Sequence, residues 1–73
     1  MGAQRVTGGN RATIEITDDQ GYVTEAYPTR YSATQCVEMF TREGWDLVVT
    51  GNKTVIMSNG PTMRVKITRL GKG

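Results

Sequence analysis

Seventy-three residues hold one domain at most, and a chain of this size buries only about 60% of the surface its unfolded form exposes. A 37% hydrophobic and 22% charged composition is that of an ordinary globular domain, with no run of about 18 apolar residues to span a membrane and no apolar export signal after Met1. Nine basic residues against seven acidic leave a net charge of +2, too mild to demand nucleic acid, and one cysteine forms no internal disulfide, which fits a reducing compartment.

Residues 1–10 (MGAQRVTGGN) are polar, glycine-rich and without period, and are expected to be a flexible lead-in to one domain over residues 11–70. Arg11 to Thr17 alternates, with Ala12, Ile14 and Ile16 on one face and Thr13, Glu15 and Thr17 on the other, the pattern of a half-buried strand. Asp18-Asp19-Gln20-Gly21 reads as a three-residue loop ending in a left-handed glycine. That register sets Ile16 opposite Thr24, Ile14 opposite Ala26 and Glu15 opposite Glu25, with Val23 and Tyr27 on the outer face. Pro28 is expected to end the second strand, since it has no N–H to give.

Ser32 to Trp45 (SATQCVEMFTREGW) is the one complete helix signal. Ser32 and Gln35 match a capping box, and Tyr31 with Cys36 can form a hydrophobic staple. Gly44 can close the helix in the left-handed region, which places Trp45 against Phe40 as in a Schellman motif. Ala33, Cys36, Val37 and Phe40 make one apolar stripe, while Glu38, Arg42 and Glu43 fall away from it.

Two more hairpins follow. Asp46–Thr50 and Lys53–Met57 flank Gly51-Asn52, and Asn59-Gly60 is a strong two-residue turn signal before a last strand over Thr62–Arg69. The end, Leu70 to Gly73, is expected to fray. Two-residue loops at both turns put Leu47, Val49, Ile56, Met63, Val65 and Ile67 on the helix side. They put Val48, Val55 and Met57 on the opposite face with Arg64, Lys66, Val23 and Tyr27. The expected fold is α+β, ordered ββαβββ, a single helix packed on one face of a mainly antiparallel five-stranded sheet. If the last strand lies beside the first, Arg64 and Lys66 offset the charges of Glu15 and Glu25.

The chemistry of catalysis is thin here. There is no histidine for a general base or metal site, and Cys36 sits on the apolar stripe as a structural thiol. Asp18 and Asp19 suit Asx-type turn bonds better than a cation site. Thr7-Gly8-Gly9-Asn10 lacks the Lys-Ser/Thr ending of a phosphate loop. No enzyme, cofactor or metal is expected. The apolar outer patch instead points to partner binding through Val23, Tyr27, Val48, Val55, Met57, Arg64 and Lys66, and a homodimer through that face would also cover it. The alternative is a nucleic-acid-binding regulator in which Arg64 and Lys66, with Arg5, Arg11, Arg69 and Lys72, track phosphates while Tyr22 or Tyr27 stacks bases.

The C-terminal half, DLVVTGNKTVIMSNGPTMRVKI after a helix ending in EGW, resembles the small phage-encoded anti-CRISPR proteins that inhibit type I surveillance complexes. The likeness spans Ala12 to Ile67 and consists of element order, size and a hairpin-rich end. It implies a phage or mobile-element protein in the host cytoplasm. Such a protein inhibits a host defence complex by stoichiometric binding, blocking DNA binding or nuclease recruitment. A net charge of +2 speaks against the acidic, DNA-mimicking variety.

Overall fold

The computed structural model describes residues 9–70. Its elements are β1 (Ala12–Thr17), β2 (Val23–Thr29), α1 (Ala33–Arg42), β3 (Asp46–Thr50), β4 (Thr54–Asn59) and β5 (Met63–Arg69). The strands form one antiparallel sheet in the order β2-β1-β5-β4-β3, with α1 packed against β3, β4 and β5. The last strand therefore lies beside the first, and Lys66 stands directly opposite Glu15. Most of the lead-in expected over residues 1–10 lies outside the described residues, as do residues 71–73 of the tail. Leu70 does not fray: its N–H donates to the Arg11 carbonyl at 3.0 Å.

Both ends of α1 are closed by their own side chains and turns. Gln35 N–H donates to Ser32 Oγ at 3.2 Å, and Ser32 N–H donates to Gln35 Oε1 at 2.9 Å, which completes the capping box. At the C-terminus Trp45 N–H donates to the Phe40 carbonyl and Gly44 N–H to that of Thr41, the paired bonds of a Schellman motif. Gly44 has φ +98°, which a Cβ would disfavour. The Trp45 ring meets Phe40 edge-on at 5.2 Å between centroids.

The β1–β2 turn follows its sequence signals, but the pairing beyond it does not. Gly21 is left-handed at φ +87°, and Asp18 Oδ1 accepts the N–H groups of Gln20 and Tyr22. Thr24 is then a bulge, its hydroxyl donating to the Ile16 carbonyl at 3.1 Å. The extra residue shifts every later pair by one. Ile14 stands opposite Tyr27, Ile16 opposite Glu25 and Glu15 opposite Ala26, so the two glutamates never face each other. Tyr27 is thereby turned to the helix side rather than the outer face. Pro28 does not end β2 but lies inside it, opposite Thr13, which an edge strand permits.

The β4–β5 hairpin overturns the largest expectation. Asn59 pairs with Met63 and Gly60 has positive φ, so the loop is Gly60-Pro61-Thr62 rather than Asn59-Gly60. A two-residue loop would need Pro61 to donate an N–H to Ser58, and proline has none. The resulting register sets Val55 opposite Ile67 and Met57 opposite Val65. Directly opposed side chains share a face, so Val55 and Met57 point at the helix, with 2% and 0% of their surface exposed. Ile56 pairs with Lys66 and turns outward.

On β3, Val48 is a bulge between the pairs Leu47–Met57 and Val49–Ile56. Leu47 therefore keeps the helix side but lies at the rim, while Val49 takes the outer face. The β3–β4 connection also exceeds two residues. Gly51 N–H donates to the Thr54 carbonyl at 2.8 Å, and Arg69 Nη1 donates to the carbonyls of Gly51 and Asn52. The core is one cluster of Ala12, Ile14, Ala33, Cys36, Trp45, Val55, Met57, Val65 and Ile67, with Ile16, Val37 and Phe40 packed around it. Each fully buried aliphatic side chain contributes about 1.5–3 kcal/mol.

Candidate functional site

The structure disperses the patch expected from the sequence. Val55 and Met57 are core residues and leave the candidate surface. Val23 and Val48 are both half exposed, but they sit on β2 and β3, at opposite edges of the sheet. Tyr27 has moved to the helix side. Arg64 and Lys66 remain exposed on the outer face, opposite Thr17 and Glu15 of β1. Their other neighbours across the sheet are Ser58 and Ile56 of β4. That surface mixes charges of both signs with threonines and Ile56, and is not a basic stripe.

A different apolar display takes its place. Leu47, Val48 and Val49 are consecutive on β3 and expose 55%, 50% and 50% of their surface. The alternation of a strand normally hides every second residue. Here the bulge at Val48 breaks that alternation, and among the described residues no strand covers β3 on its far side. An uncovered edge offers unpaired backbone N–H and C=O groups next to these side chains. The other edge, β2, is exposed almost throughout but carries Glu25, Pro28 and a bulge, three features that blunt strand pairing. β3 has a bulge and one charge, Asp46.

A second feature lies between α1 and β2, where the helix leaves the inner face of the sheet partly open. A groove of about 260 Å³ runs there, floored by Ile14 and Cys36 and walled by Tyr27, Tyr31, Met39 and Phe40, with Glu43 at its rim. Burial raises the Tyr27 phenol pKa, and the charges of Glu25, Cys36 and Glu43 add to the effect. Cys36 is buried and its thiol pKa is raised by desolvation, which disfavours the nucleophilic thiolate. Beside the groove lies a wider, more polar hollow of about 740 Å³ lined by Arg11, Arg30 and Gln35 among others. Among the described residues, no group of three His, Cys, Asp or Glu side chains is placed to hold a metal ion, and no helix is long and apolar enough to cross a membrane.

Sequence reasoning missed the β3 edge and the groove for one reason. Both depend on bulges, and neither Thr24 nor Val48 is a residue type that announces one. Pro61 was a readable signal against the two-residue loop. No protein-family model, curated protein or solved structure matches the chain.

Proposed function

We propose that the chain is a non-enzymatic binding protein that works by stoichiometric occupation of a protein or nucleoprotein partner. Its target class is the host defence complexes inhibited by the anti-CRISPR proteins it resembles in layout. The observation that supports this is the β3 edge, where Leu47, Val48 and Val49 are half exposed beside free backbone groups. Such an edge suits strand addition, in which main-chain bonds supply affinity and flanking side chains supply specificity. The nucleic-acid reading keeps exposed Arg64 and Lys66 but loses Tyr27 as a stacking platform on the same face, and Glu15 opposes Lys66. A second copy of the chain could also use β3.

The test is affinity capture from a bacterial lysate that contains type I CRISPR surveillance complexes, with and without nuclease, using wild type and Val48→Lys. The variant places a charge on an exposed edge, so its stability should stay within about 0.5 kcal/mol of wild type. The reading expects one protein complex retained after nuclease digestion and lost with the variant. Retention that depends on nucleic acid and is abolished by Arg64→Glu with Lys66→Glu would replace it with the regulator. Concentration-dependent light scattering abolished by Val48→Lys would assign the edge to a homodimer.

A further inference from the structure

We propose that the groove between α1 and β2 is a binding site for a Lys or Arg side chain presented by an extended segment of a partner protein. At about 260 Å³ the groove falls below the 300–1,000 Å³ usual for small-molecule and cofactor pockets, and suits one long side chain. Its walls are the rings of Tyr27, Tyr31 and Phe40 with the thioether of Met39. Aromatic faces attract cations, and the aliphatic stem of a lysine or arginine packs against such walls while its head stays polar.

Charge selects the occupant. Among the described residues, Glu43 is the one charged side chain that lines the groove, and no cation lines it. Glu25 adds a second carboxylate from β2, on the same face as Tyr27 and close enough for its charge to act on the Tyr27 phenol together with that of Glu43. Glu43 is exposed at the rim, so a purely apolar occupant gains nothing from its carboxylate. A cationic head meets it. The segment bearing that side chain can lie along β2, but Pro28 lacks a donor there, so recognition rests on the side chain more than on a continuous ladder.

This site goes beyond the β3-edge reading and occupies the other edge of the sheet, so either can fail alone. The probes are three peptides, Ac-Gly-Val-Xaa-Val-Gly-amide with lysine, norleucine or glutamate at the centre, titrated into the full chain by two-dimensional ¹H–¹⁵N NMR. Norleucine keeps the stem and removes the charge. The lysine peptide should shift the amides of Tyr27, Tyr31, Cys36, Met39 and Glu43 and bind roughly fivefold tighter than the norleucine peptide, with the glutamate peptide weakest. Glu43→Gln should make the lysine and norleucine affinities equal. Equal affinities in the wild type, tightest binding of glutamate, shifts on the outer face around Arg64 and Lys66, or no saturable binding in the millimolar range would each overturn the proposal.

Discussion

Pro61 cannot close the short turn that Asn59-Gly60 invites, and the longer loop it enforces reverses the faces of β4 relative to β5. Met57 and Ile56 are adjacent in sequence and have opposite fates: Met57 is sealed, while Ile56 is partly exposed beside Lys66. Met57→Ala should therefore cost about 2–4 kcal/mol in urea unfolding, and Ile56→Ala roughly half of that or less. Asp18 acts at the same scale, one carboxylate oxygen holding two backbone donors of the first turn. Asp18→Ala should lower stability by about 1–2 kcal/mol, and Asp18→Asn, which keeps an acceptor, by less. The Tyr27 phenol and the Cys36 thiol have raised pKa values in the fold. The native state then holds each proton to higher pH than the unfolded chain, so their stabilising effect is complete below the unfolded values and lost as pH rises through the folded ones. The urea midpoint should fall above pH 9.0 for the Cys36 part and above pH 10.0 for the Tyr27 part, less steeply in Tyr27→Phe.

The helix was legible almost atom by atom, because its stops are local. A capping box spans four residues and a Schellman motif six, so Ser32, Gln35, Phe40, Gly44 and Trp45 specify both ends without help from the sheet. Gly44→Ala must force a Cβ into positive φ and should cost about 1 kcal/mol, read as a lower thermal midpoint with the helical circular dichroism shape retained. Strand existence and element order were also legible, and the β1–β5 adjacency was expected for a partly wrong reason: Lys66 does stand opposite Glu15, but the Glu15–Glu25 repulsion it was to offset does not occur. Register was not. A strand face depends on the parity of its pairing, so a single bulged residue or one added loop residue inverts it. Thr24 and Val48 look like any other strand residue, and no local signal marks their bulges. The expected patch lost Val55 and Met57 on that parity alone, while Val48 stayed exposed at the β3 edge, and the groove beside Tyr27 became visible only once the parity was known.

At the scale of the described molecule, one helix packs over β3, β4 and β5 on one side of the five-stranded sheet, and exposed apolar surface gathers along β3 and in the α1–β2 groove. A domain this small has little stability in reserve, and natural sheets usually blunt an edge such as β3 with charge or proline. On the proposed reading a partner strand covers the three exposed apolar residues of β3, which its own bulge and Asp46 protect only in part. That reading depends on the direction in which β4 faces, which cross-strand proton contacts report without mutation. In a NOESY spectrum of the ¹⁵N,¹³C-labelled chain, Met57 should show backbone contacts to Val65, and Val55 to Ile67. Contacts of Met57 to Thr62 and of Ile56 to Met63 would instead restore the two-residue loop, return Val55 and Met57 to the outer face, and contradict the account.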